Sequence, residues 1–221
     1  MALTKFNYNS FDITPVASKA LAFNSDADGL TTAAEGSMVL IKTLTASTSD
    51  TLSFVDGADD VVLDSTYPIY KFEFINIHPD TDDANFTFQA NVAGGSGYNE
   101  TITSTAFRAN HDEGDSETSL AYFPSRDQAQ GTAFQPLDAG GISSDNDHCI
   151  SGTLQIFSPS STTFVKHFIA RSVHAHHGNY TFDNYIAGYF NTTSAIDEIQ
   201  FKLESGNMDS GKIKLYGIKD A

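Results

Sequence analysis

The sequence predicts an all-β chain: an antiparallel two-sheet sandwich, jelly-roll-like, with an extended N-terminal arm. Three observations lead there. From Ser37 onward, apolar and polar residues alternate with period two, the pattern of strands with one buried face. The chain holds 17 Phe and 9 Tyr and no Trp, and aromatic side chains suit a pleated, half-buried surface. Clusters of Gly, Pro, Asn and Asp punctuate the alternation, and no 3.6-residue period lasts beyond a couple of turns.

Taken in order, residues 1–36 form the arm. Their apolar residues are sparse (Phe6, Tyr8, Phe11, Ile13), Pro15 interrupts any strand, and such a segment cannot bury a core of its own. Asp26-Ala27-Asp28-Gly29 is a turn signal within it. The sandwich domain spans residues 37–221. Met38–Leu44 and Thr51–Val55 are its first strands, the second closed by Asp56-Gly57. Tyr67–His78 is the strongest pattern: Tyr70, Phe72 and Phe74 share one face, Lys71 and Glu73 the other. Ile75 and Ile77 break that parity, which predicts a β-bulge near Phe74. Strands follow at Phe86–Gln89, Thr101–Ala109 and Leu120–Phe123, then a Gly-, Asp- and Gln-rich stretch, 124–147, with little regular pattern. Cys149–Phe157, Thr163–His174, Tyr180–Phe190, Ile199–Glu204 (entered from Ser194–Glu198) and Lys212–Ile218 complete a set of about ten strands.

Composition narrows the function. The formal charge is −16, from 12 Lys and Arg against 28 Asp and Glu. A nucleic-acid binder needs clustered cations to neutralise phosphates, and an anionic membrane surface attracts the same cations, so neither partner is expected. Nothing approaches the roughly 20 consecutive apolar residues that a membrane helix requires, so no membrane insertion is expected. The single Cys149 excludes an intramolecular disulfide framework. The first ten residues lack the apolar segment of a secretory signal, so the expected site of synthesis is a cytoplasm.

The candidate chemistry is thin. His174 and His176 would face one side of a strand, a usable metal spacing, with His167 or Asp183 as a third ligand; a solvated His-rich turn is the alternative. The acidic clusters at 80–83, 112–115 and 145–147 match no calcium-loop pattern and read as solvated loop tips. There is no nucleophile elbow and no phosphate loop, and His148 and Cys149, adjacent on a strand, point to opposite faces. No cofactor and no enzymatic activity are expected. Tyr180, Phe182, Tyr185 and Tyr189 crowd one strand beside Asn179, Asp183, Asn184 and Asn191, a composition suited to sugar rings or to a protein interface.

The run Ser205-Gly206-Asn207-Met208-Asp209-Ser210-Gly211-Lys212-Ile213-Lys214-Leu215-Tyr216-Gly217-Ile218 resembles the C-terminal ending of a broad group of tailed-phage virion proteins common in marine and cyanobacterial phages. Tyr70–Pro79, Asn85–Gly97, Ser151–Ser161 and Thr193–Phe201 resemble the same group in order and spacing, and Lys5–Phe11 resembles the attachment end of phage fibre and structural proteins. The resemblance implies a β-sandwich scaffold without catalytic residues, located in the virion after assembly in the host cytoplasm. It implies a tail fibre or baseplate-associated structural protein, with a capsid decoration or head-fibre protein as one alternative. A free carbohydrate-binding module is another, and a glycan hydrolase a more distant one. The expected partners are other virion proteins, copies of the chain itself in a homo-oligomer (a trimer), and a host surface glycan. Phe6, Tyr8, Phe11 and Ile13 are the expected attachment anchors.

Overall fold

The computed structural model describes residues 21–23, 30–32, 36–176 and 178–220. The chain divides into two compact units, Met1–Gly36 and Ser37–Ala221. In the first, β1 (Leu21–Phe23) pairs antiparallel with β2 (Leu30–Thr32). The expected anchors Phe6, Tyr8, Phe11 and Ile13 and the Asp26–Gly29 turn lie outside the described residues.

The second unit is built of two antiparallel sheets. The smaller runs β10 (Gln135–Pro136), β6 (Phe86–Val92), β14 (Ile196–Leu203), β4 (Thr51–Val55). The larger runs β3 (Met38–Thr45), β15 (Met208–Ile218), β5 (Ile69–Pro79), β11 (Ile150–Phe157), β12 (Lys166–His176), β13 (Tyr180–Phe190), β7 (Ile102–Asp112), β8 (Thr118–Tyr122), with β9 (Ala129–Gly131) also on β7. Early strands pair with late ones in nested fashion: β3 with β15, β4 with β14, β7 with β13. The chain alternates sheets as it does so, which makes the sandwich jelly-roll-like.

The core is aromatic. Tyr70, Phe72 and Phe74 all turn inward from β5 and are buried, as their shared parity requires. Across the sandwich, Phe72 meets Phe54 of β4 with ring centroids 5.2 Å apart, and Phe74 meets Phe86 of β6, also at 5.2 Å. Phe88 of β6 stands edge-on to Phe168 of β12 at 5.1 Å. Each buried ring contributes about 1.5–3 kcal/mol from area alone, and edge-to-face pairs add about 0.5–1.5 kcal/mol. This packing takes the place of the disulfides that the chain lacks.

The bulge in β5 lies at Asn76, two residues beyond its expected place. Asn76 has φ 51°, a left-handed conformation that Asn tolerates better than most residues, and its N–H donates to Ser151 Oγ at 2.9 Å. Ile75 therefore faces outward and Ile77 inward, fully buried. The irregular stretch 124–147 is fastened by side-chain amides. Buried Gln89 donates from Nε2 to the carbonyls of Glu100, Thr132 and Ala133 at 3.0–3.2 Å. Buried Gln135 donates to Arg126 O at 2.8 Å and accepts from Ser104 Oγ at 2.6 Å.

Candidate functional site

β13 is an eleven-residue strand, and its period divides the aromatic crowd of 180–190 between two surfaces. Phe182, Ile186 and Phe190 face the core and are buried. Tyr185 and Tyr189 face outward with Asp183 and Ala187, half-buried or exposed. Tyr180 sits at the strand's start, its hydroxyl donating to Glu117 at 2.9 Å.

The outward residues form a row across the large sheet. The register places Tyr122 of β8, Phe107 of β7, Tyr185 of β13 and Arg171 of β12 side by side. Phe107 stacks parallel on Tyr185, centroids 4.8 Å apart. On the other side the Arg171 guanidinium lies 5.0 Å from the same ring. Arg171 donates from Nε and Nη2 to Asp183 at 2.9 and 2.8 Å, a fork-to-fork pair, and the Tyr185 hydroxyl donates to the same carboxylate at 3.0 Å. The Arg171 hydrogen bonds hold the Asp183 carboxyl below its usual range, and Asp183 raises the guanidinium further. Both ring faces of Tyr185 are thus covered, so this ring cannot serve as a platform for a sugar.

Phe182 is equally engaged. The Arg108 guanidinium lies 3.8 Å from its centroid and the His176 ring stacks at 4.8 Å, which requires opposite faces of the phenyl ring. An expectation of four aromatic side chains displayed together therefore does not match their placement: Phe182 is a core residue, while Tyr185 and Tyr189 belong to the outer face.

His174 and His176 do share a side, the inner one. His174 is buried, edge-on to Phe182 at 5.1 Å, with Asn184 Nδ2 3.3 Å from its Nδ1. Burial, then the proximity of His176 and Arg108, push its pKa down to about 3, so it is neutral at ordinary pH. The suggested third ligands cannot join it. His167 has odd parity on β12 and Asp183 has odd parity on β13, so both lie on the opposite face of the sheet. Among the described residues no three His, Cys, Asp or Glu side chains converge as a metal site would require.

The structure gives these inward polar residues another task. Ala139 N–H donates to Asn184 Oδ1 at 3.0 Å, Ser172 Oγ donates to Leu137 O, and Arg108 Nη1 donates to Ala139 O. Asp138, fully buried, accepts from the N–H groups of Phe86 at 2.6 Å and Gly141 at 3.0 Å. Burial pushes its pKa up to about 6. Segment 137–141 is thereby fixed over one end of the core. A signal for this exists in the sequence: Arg108, Asn110, Ser172, His174 and Asn184 are all polar residues at inward parity, gathered at one end of β7, β12 and β13.

Beside that end lies an open cleft of about 370 Å³, lined by His111, Asp112, Cys149, His174 and Tyr180 among others. One of its carboxylates is taken up by its own loop. Asp112 accepts from the Ser116 hydroxyl and from the N–H groups of Ser116 and Glu117, which lower its pKa to about 2 and hold the 112–117 loop. Asp115 pairs with His111 at 3.2 Å. The Cys149 thiol is raised by burial, away from reactive thiolate character, with its Sγ 3.7 Å from Asn76 Oδ1.

The two outer faces of the sandwich differ. On the small sheet, β6 turns Thr87, Gln89 and Asn91 away from the core, where they are themselves buried, and β14 turns out half-buried Gln200 and Lys202. On the large sheet Met38, Leu40, Ile75 and Phe107 are 38–52% exposed, and Leu120, Tyr122, Ile169 and Val173 are 49–73% exposed. The only other large apolar side chain so exposed among the described residues of this unit is Phe164, in a loop.

No protein-family model matches this chain, and no curated protein matches it. A solved structure of a protein of unknown function from Bacteroides ovatus is similar over 48% of this chain and 45% of its own length, with 7% identity and a TM-score of 0.26. No helix among the described residues is long and apolar enough to cross a membrane.

Proposed function

We propose that this chain is a non-enzymatic structural protein of a tailed-phage virion, carried on the tail as a fibre or baseplate-associated subunit. The observation that carries this reading is where the segments resembling phage virion proteins fall in the fold. Tyr70–Pro79, Ser151–Ser161 and Ser205–Ile218 supply β5, β11 and β15, three adjacent strands of the large sheet. Asn85–Gly97 and Thr193–Phe201 supply β6 and β14, adjacent in the small sheet. The resemblance lies on the scaffold that joins the two sheets, as it does when a fold is kept for its shape and its surfaces.

The side-chain chemistry supports the same reading. Three carboxylates with displaced pKa values are tied to loops and strand pairs: Asp112 to its own loop, Asp138 to segment 137–141, Asp183 to Arg171. The ring faces of Tyr185 and Phe182 are taken, so neither is offered to a host glycan. The segment 1–36, with Phe6, Tyr8, Phe11 and Ile13, attaches the sandwich to the particle.

Antibodies raised against the recombinant sandwich test this. Immunogold labelling of particles purified from lysates of the host carrying this gene should decorate the tail. Label on the head would move the protein to a capsid decoration role. Label on neither, with all antigen in the particle-free supernatant, would overturn the virion assignment.

A further inference from the structure

We propose that the outer face of the large sheet is a self-association surface, on which two copies of this chain meet sheet to sheet. This does not depend on the virion reading.

The backbone of this sheet is satisfied, since every strand from β15 to β7 has a hydrogen-bonded neighbour on both sides. What remains unsatisfied is apolar area. Phe107, Leu120, Tyr122, Ile169 and Val173 stand exposed on β12, β7 and β8, with half-buried Tyr185 of the intervening β13 between them. The register brings them into neighbouring rows: Tyr122, Phe107 and Tyr185 in one, Leu120, Ala109, Asp183 and Val173 in the next. Scattered exposed apolar residues are ordinary, but several gathered in neighbouring rows of one sheet face mark a contact surface.

Two features commit the occupant to a second copy. The first is charge. The chain carries −16, so most pairings of its surfaces set acid against acid. The outer face of the large sheet is the exception. Its carboxylates Glu73 and Asp183 are bonded to cations on the same face, Lys71 at 2.7 Å and Arg171 at 2.8 Å, and the further cations Lys212 and Lys214 stand on β15, outside the apolar rows of β12 to β8. Two such faces approach without the like-charge repulsion that the acidic loops would bring. The second is apolar complementarity. In the sandwich unit, large exposed apolar side chains are concentrated on this face, so the best apolar partner for the face is the same face on another copy.

The area suffices. Eight strands of 5–11 residues, at about 4.8 Å spacing and about 3.3 Å per residue, give a face on the order of 1,000 Å², against the roughly 800 Å² per partner of a standard stable interface. A contact of a face with itself is isologous and two-fold, so it yields a pair. The trimer expected from the sequence is not what this surface builds.

Sedimentation velocity of the full-length chain at about 20 µM tests the proposal. The expected mass is twice 23.8 kDa. The variant I169E/V173E should sediment as a monomer, with self-association weakened about 100-fold or more and the β-type circular dichroism unchanged. Thr105→Arg, on the same face, adds bulk and charge without removing an apolar contact, and should also give monomer. It decides the matter if I169E/V173E fails to fold. Thr51→Arg, on the small sheet, should leave the pair intact. A monomeric or trimeric wild-type protein, or a dimer that survives both variants of the large sheet, overturns the proposal. So does a dimer lost equally in Thr51→Arg.

Discussion

Replacing His174 by Gln removes an imidazole that the fold holds neutral, and the consequence is a change in how stability depends on pH. His174 titrates at about 3 in the folded chain, against an ordinary value of 6.5. Above pH 6.5 it is neutral whether folded or not and contributes no pH dependence. Below pH 6.5 the unfolded chain takes up a proton that the native chain refuses until about pH 3, so stability is lost as pH falls. At pH 4 the loss relative to pH 7 is about 3 kcal/mol, at 1.36 kcal/mol per unit. Asp138 acts in the opposite direction. Its native value of about 6 lies above the ordinary 3.8, so between those values the native chain keeps a proton that the unfolded chain has released. Its stability contribution therefore rises as pH falls from 7 to 4, by about 2 kcal/mol. In the wild-type protein the two slopes nearly cancel. In H174Q the Asp138 slope is left alone, and from pH 7 to pH 4 the variant should gain about 3 kcal/mol on the wild type. Urea unfolding of both proteins at pH 7, 5.5 and 4 measures this difference, in which titrations common to both chains drop out. A gap that changes by less than about 1 kcal/mol would refute the placement of His174 as a buried neutral group.

Other perturbations test the packing. Phe201 is fully buried among Phe54, Phe72, Phe86 and Phe88, and Phe201→Ala should cost about 3–5 kcal/mol in thermal or urea denaturation. Gly188 sits where a Cβ would come within 2.6 Å of Thr103 O and 2.7 Å of the Phe168 ring, so Gly188→Ala should lose about 1–3 kcal/mol through overpacking, read by the same melts. Deleting residues 1–36 should leave a cooperatively melting sandwich with its β-type circular dichroism, because among the described residues the hydrophobic core belongs to Ser37–Ala221. Failure of the truncated chain to fold would place a core element in the deleted segment.

The sandwich could be read from the sequence because most of its long strands bury one face. The Tyr70, Phe72, Phe74 alternation survives intact as a wall of the core, and the parity break after it marks a real bulge, displaced only to Asn76, the residue best able to take a positive φ. The candidate site was legible in part. Parity alone separates Phe182 and Phe190 from Tyr185 and Tyr189, and it separates His174 from His167. Composition within a window does not, and it presents all of them as one cluster. The Arg171–Asp183 pair needs the β12–β13 register, which places Arg171 opposite Tyr185 and diagonal to Asp183. The Gly178-Asn179 turn signal could have supplied that register. Segment 124–147 resisted reading for a different reason. Its order comes from Gln89, Asp138 and Asn184 joining it to main-chain groups far away in sequence, and such bonds leave no periodic trace.

The most direct test of the account as a whole is a cryo-EM reconstruction of the particle assembled in a host carrying this gene. The account predicts density on the tail that accepts the two-sheet sandwich, with the Phe107, Tyr185 and Ile169 face turned against a second copy and the acidic loops turned to solvent. A reconstruction in which every tail and capsid density is assigned to other chains, with none that this sandwich fits, would contradict it.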